Sequence, residues 1–134
     1  MKKITALFLL FVTFSCNNNS KECKDISCEI ERTKKETIDM HDVVMARMGE
    51  IRSLKSTLEK ADSIATDEEH LKIVELINQI NSADKEMWDW MHSFNASYKG
   101  ETDSLTLIYF KGKLEGIRSV REAMDTAIKN GNSY

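Results

Sequence analysis

The chain has no proline and only five glycines in 134 residues, so the two residues that most often interrupt helices are nearly missing. Proline removes a helical amide and clashes with the turn before it, and glycine costs about 1 kcal/mol relative to alanine inside a helix. Their scarcity permits long unbroken helices. There is no excess of positive charge either: 19 Lys and Arg stand against 22 Asp and Glu, so no basic patch offers itself to the phosphates of a nucleic acid. A glycine-rich phosphate loop, a G-x-S-x-G elbow, an H-E-x-x-H pair and the repeated E-x-x-H of di-iron bundles are all absent from the sequence. A non-enzymatic protein with no cofactor is expected.

One stretch is strongly apolar. The chain opens "MKKITALFLLFVTFSC", two lysines followed by an apolar run of about a dozen residues that "NNNSK" ends. A transmembrane helix needs about 20 such residues, so the run reads as a cleaved export signal rather than a span. The Ser15-Cys16 junction resembles the lipobox of bacterial lipoproteins, although Thr13 and Phe14 depart from its pattern. That resemblance implies removal of residues 1–15 and acylation of Cys16 by palmitate-type chains. The chain would then be a lipoprotein anchored to a membrane of the cell envelope, outer or periplasm-facing. Loss of Lys2 and Lys3 with the signal moves the net charge from −3 to −5. The residues left are one domain's worth.

Residues 16–25, "CNNNSKECKD", are polar and aperiodic and read as a lipidated linker. Cys23 and Cys28 in an exported chain are most simply a local disulfide, provided that the backbone there is not a regular helix holding them apart. Zinc is the weaker reading, since two thiols without a nearby histidine make half a site.

From residue 26 the apolar positions recur at helical spacing. Ile30, Thr37, Met40, Val44, Met48, Ile51, Leu54, Leu58 and Ala61 predict one long helix over about 26–64. Thr66 with Glu69 predicts a capping box at the next start. A second stripe, from Ile73 through Ile80, Ala83, Met87 and Trp90 to Phe94, predicts a helix over 67–98, with Gly100 supplying the left-handed residue that closes it. Thr102 or Asp103 caps a third helix over 102–129, whose stripe is Leu107, Phe110, Leu114, Ile117, Val120, Met124 and Ile128 and which "NGNSY" ends. Three stripes joined by short turns predict an all-α, antiparallel up-down-up three-helix bundle over residues 26–134, with a coiled-coil-like character.

Two segments stand out, "MHDVVMARM" at 40–48 and "MWDWMH" at 87–92. In an up-down-up bundle they lie at the same height, so Met40, His41, Met45, Met48, Met87, Met91 and His92 converge on one layer. Thioethers and imidazoles suit a soft ion such as Cu(I), and thioethers bind it without losing a proton. The competing reading is packing, since methionine is a flexible gap-filler and most of these residues lie on stripes that need burial. Trp88 lies off the stripe, aligned with Asp84 and His92 at i, i+4, i+8; the three form either a protein-partner patch or a cover for the helix seam. Asp84, on the second stripe, is the one carboxylate expected to be partly buried.

Taken with the export signal, "MHDVVMARMGEI" and "MWDWMHSF" resemble segments of a group of small bacterial lipoproteins of unknown function labelled "viral A-type inclusion protein". That group carries an M-x-H-D-E-V-M-P-K-M-like and an M-M-D-W-M-H-x-F-like segment. Val43, Ala46 and Trp88 depart from it, standing where the group has an acid, a proline and a methionine. The resemblance implies a lipid-anchored helical bundle, and it brings no activity with it. The function expected is that of an envelope protein working through structure or protein contacts; the alternative is a Cu(I)-binding protein.

Overall fold

The computed structural model describes residues 23–134, and these form an all-helical bundle. The signal segment, Cys16 and the first part of the linker lie outside the described residues. Four helices follow one another: α1 (Ile26–Ala46), α2 (Met48–Asp62), α3 (Asp67–Ser93) and α4 (Asp103–Asn132).

The expected long first helix is divided in two. α1 and α2 are separated by the single residue Arg47, whose N–H bonds back to the Val44 carbonyl at 3.0 Å in a tightened turn. No proline produces this break. Its residue sends its guanidinium across to Asp125 on α4 and to Glu50 on α2. The break also marks a change of neighbour: α1 packs its backbone closely against α4, whereas α2 packs chiefly against α3.

α1 approaches α4 through small side chains. Thr33 and Thr37 are buried there, and their hydroxyls donate to the carbonyls of Glu29 and Thr33 at 2.8 and 2.7 Å. A buried hydroxyl left unpaired would oppose folding; bonding back to the preceding turn removes that cost while keeping the surface flat. Polar ties run along the same seam. Glu29 meets Lys111 and Glu36 meets Arg118. Further along, the Arg121 guanidinium lies 3.7 Å from the Met40 sulfur, before the Arg47–Asp125 pair. The partners advance together along both segments. Between α3 and α4 they run the other way, from Trp90 with Lys113 to Gln79 with Asn130. Lys111 donates to Glu29 at 2.7 Å, and this bond holds the Glu29 carboxyl below its ordinary value.

The main core comprises Val44, Met48, Ile51, Leu58, Ile73, Ile80, Met87, Trp90, Leu114, Ile117, Val120 and Met124 with their neighbours; a smaller cluster of Ile30, Leu107 and Phe110 closes the end near Cys23. All are stripe residues, as burial of three amphipathic faces requires.

The helix ends partly differ from the sequence expectation. The capping box is present: the Thr66 hydroxyl accepts from the Glu69 amide while the Glu69 carboxylate accepts from the Thr66 amide at 2.9 Å. Thr102 caps α4. α3, however, stops at Ser93 instead of 98, because the Tyr109 hydroxyl accepts from the Asn95 amide at 2.6 Å and donates to the Ser93 carbonyl. Gly100 does not supply a left-handed turn, since no glycine among the described residues has positive φ. It is needed for closeness: a Cβ there would lie 2.9 Å from the Leu105 Cβ. Nor does "NGNSY" end α4 at 129. The helix runs on to Asn132, and Gly131 sits inside it, where Leu54 fills the space a side chain would take.

At the other end, Cys23 and Cys28 form a disulfide with Cα atoms 5.4 Å apart. Cys28 is in the first turn of α1 but Cys23 precedes the helix, which leaves the pair free to meet. Asp25 caps that turn by accepting from the Cys28 amide at 2.8 Å.

Candidate functional site

α2 packs against α3 but the backbone of α1 does not approach it, and a cleft of about 380 Å³ opens between α1 and α3. It is lined by Ile38, His41 and Asp42 from α1, by Trp90 and Met91 from α3, and by Phe94 and Ala96 just beyond. Both singled-out segments contribute to it.

Large rings keep the helices apart. The indole of Trp90 is stacked with the His41 ring, 5.6 Å away centre to centre, and with the Phe94 ring, 4.8 Å away. Trp90 Nε1–H donates to the Lys113 carbonyl on α4 at 2.9 Å. Gly116 makes room for that approach, since a Cβ there would lie 3.2 Å from the indole Cδ1. The aromatic contacts continue edge-on from Phe94 to Phe110 and Tyr109, then face-on from Tyr109 to Tyr98 at 3.9 Å. Offset and edge contacts of this kind stabilise beyond the area they bury, so the cleft has a stiff floor.

The rim is polar and half-solvated. His41 Nδ1–H donates to the Asp42 carboxylate at 2.9 Å. On the outer flank of α3, His92 Nδ1–H donates to the Trp88 carbonyl at 2.8 Å, and the two rings lie 6.2 Å apart. Trp88 is 43% exposed and Met45 37% exposed. Asp84 does not join this outer patch. Its Oδ1 is buried without a hydrogen-bond partner among the described residues, so the carboxylate is turned inward, and of the expected trio only Trp88 and His92 share the surface.

The seven Met and His residues meet different surroundings, although Met40, Met48, Met87 and Met91 all belong to or pack on the main core. Met40 turns to α4, with the Arg121 guanidinium on its sulfur; Met48 and Met87 are sealed in the core; Met45 and His92 face outward. Only His41 and Met91 line the cleft together. Among the described residues no group of three or more His, Cys, Asp or Glu is arranged to hold a metal ion. Three residues that organise the cleft were not singled out in the sequence for this role. Gly116 and Lys113 act through α4, and Asp42 neighbours His41; an aromatic stripe aimed at a helical glycine was the available signal.

A second groove, about 430 Å³, runs between α3 and α4. Its walls are small and polar, including Ser82, Ala83, Ser119 and Ala123 with the bonded Gln79–Asn130 pair, and it holds none of the Met, His and Trp residues singled out in the sequence. Compared with protein-family models, with curated proteins and with solved structures, the chain matches none.

Proposed function

We propose that this chain is a lipid-anchored protein of the bacterial cell envelope, built as an up-down-up bundle, that works without catalysis through protein contacts made at the α1/α3 cleft. The observation that carries the reading is the cleft itself, an apolar floor of Trp90, Met91 and Phe94 with half-exposed Trp88 and Met45 outside and a His41–Asp42 rim. Aromatic and methionine side chains around a polar rim are the usual composition of protein contact sites. The Ser15-Cys16 junction supports the anchor, and the seam partners that advance together on α1, as far as Arg47, and on α4 but oppositely on α3 support the topology. The test is crosslinking in cells with a photoreactive phenylalanine analogue replacing Trp88, and, as a control, replacing Ser56 on the exposed face of α2. A discrete protein adduct from position 88 alone is expected. No adduct, or equal adducts from both positions, would overturn the assignment of the contact site.

A second reading rests on His41 and Met91 sharing the cleft, which puts one imidazole and one thioether beside each other. The function would then be Cu(I) binding, with the remaining ligands coming from outside the cleft. Met91→Leu keeps the volume of the side chain and removes the sulfur. A Cu(I) competition titration giving the same affinity for wild type, Met91→Leu and His41→Ala would end this reading.

A further inference from the structure

The end of the bundle nearest the anchor carries an apolar patch of its own. Ile108 is 65% exposed and Leu105 46% exposed on the first turns of α4, beside Tyr98 from the connector. Leu105 sits over Gly100, and Tyr98 is stacked on Tyr109, the neighbour of Ile108. These three residues lie at the same end as Cys23, because Glu29, one turn into α1, is bonded to Lys111, one turn beyond Ile108.

We infer that this end of the domain docks on the bilayer surface, with Tyr98, Leu105 and Ile108 entering the interface; the inference rests on the lipid anchor of the proposed function. Covalent geometry selects the end. Cys16 and Cys23 are seven residues apart, so whatever the conformation between them the span is at most about 25 Å. The disulfide and the Asp25 cap tie Cys23 to the first turn of α1. The opposite end has exposed apolar residues too, Ile64 and Leu71. It lies a whole α1–α2 arm away, roughly 55 Å at 1.5 Å per residue, which the tether cannot reach with the domain upright. With the domain upright, the exposed large apolar residues on the connector and the first turns of α4 are these three.

Their chemistry suits a lipid interface. Tyrosine places an apolar ring with a polar tip at headgroup depth, and lysines extend their stems while keeping the ammonium in water. Lys24 and Lys99 lie at this end with Asp25, Glu101 and Asp103. They leave no positive excess, so apolar burial is the driving term, and docking is expected on zwitterionic lipid and to persist at high salt.

The test uses the chain from residue 16 onward, coupled through Cys16 to a maleimide lipid in phosphatidylcholine vesicles. Cys23 and Cys28 are tied to each other, so Cys16 is the reactive thiol. Coupling does not depend on natural acylation, which the mass of the Cys16 peptide recovered from cells reports separately. Hydrogen exchange is then read along the chain. Amides around Tyr98 and from Leu105 to Ile108 should slow severalfold in the coupled chain, those around Ile64 and Leu71 should not change, and the pattern should survive raised salt. A Leu105→Ser/Ile108→Ser variant, checked for unchanged circular dichroism, should lose the protection. Unchanged exchange at the patch, or equal protection at Ile64, would overturn the inference. So would protection of the patch at rising protein concentration without vesicles, which would assign it to a second copy of the chain.

Discussion

Gly112 and Gly116 lie one turn apart in α4 and meet opposite surroundings, so replacing each by alanine isolates the packing of the cleft floor. Inside a helix the replacement lowers the backbone entropy cost and stabilises by about 0.8–1.0 kcal/mol. At Gly112 a Cβ meets nothing within 4 Å, and the full gain is expected, raising the melting temperature by about 4 °C for a domain of this size. At Gly116 the same Cβ lies 3.2 Å from Trp90 Cδ1 and 3.4 Å from Nε1. The indole has little freedom to move away, with His41 and Phe94 stacked on it and Nε1 bonded to the Lys113 carbonyl. Overpacking of this kind costs about 1–3 kcal/mol, which cancels or exceeds the propensity gain. The measurement is urea unfolding followed by circular dichroism and tryptophan fluorescence. Gly112→Ala should move the midpoint up, and Gly116→Ala should leave it unchanged or lower it while altering the tryptophan emission. Equal stabilisation by both would mean that Trp90 does not rest on α4 as described, and the stiff floor of the cleft would go with it.

Ile51→Asp or Leu114→Asp should cost several kcal/mol as an unpaired charge in a sealed core, whereas Ser53→Asp on the exposed face of α2 should be nearly neutral; similar thermal melts for the three would contradict the stripe assignment. The Glu69 carboxyl is held below its ordinary value chiefly by the Thr66 amide, then by the Thr66 hydroxyl. Because the folded-state value is the lowered one, its contribution is full above the ordinary carboxylate range and is lost as pH falls through the lowered value. The stability difference between wild type and Glu69→Gln should therefore shrink between neutral pH and about pH 3, and a difference that does not change with pH would argue against the capping-box carboxylate.

Local and periodic features were legible in the sequence. Ile51, Ile80 and Ile117 sit on apolar stripes, and a residue at helical spacing faces the core whatever its partners are. Thr66 and Glu69 announce a helix start from three residues of separation. What could not be read depends on residues far along the chain. The Arg47 break carries a pair with Asp125, 78 residues away. α3 ends at Ser93 because of the Tyr109 hydroxyl, 16 residues on. The two sides of the Met/His layer are split by helix geometry: neighbouring residues on a helix point about 100° apart, so Met40 reaches α4 while His41 reaches α3. Equal height in a bundle puts residues at one level without turning them toward one another. Gly100 and Gly131 share a different cause. Both look like stop signals, yet each answers the need for a close neighbour, Leu105 in one case and Leu54 in the other.

The proposed envelope anchor is the premise of the envelope function and of the docked orientation, and it is tested by separating membrane from soluble fractions of cells making the chain with either Cys16 or Cys16→Ser. Acyl chains contribute about 0.8 kcal/mol per buried CH₂, enough for several chains on one cysteine to hold a domain of this size at the bilayer. The Cys16 chain should be recovered with the membranes after a high-salt wash, and the Cys16→Ser chain in the soluble fraction. The same distribution for both chains would contradict the anchor.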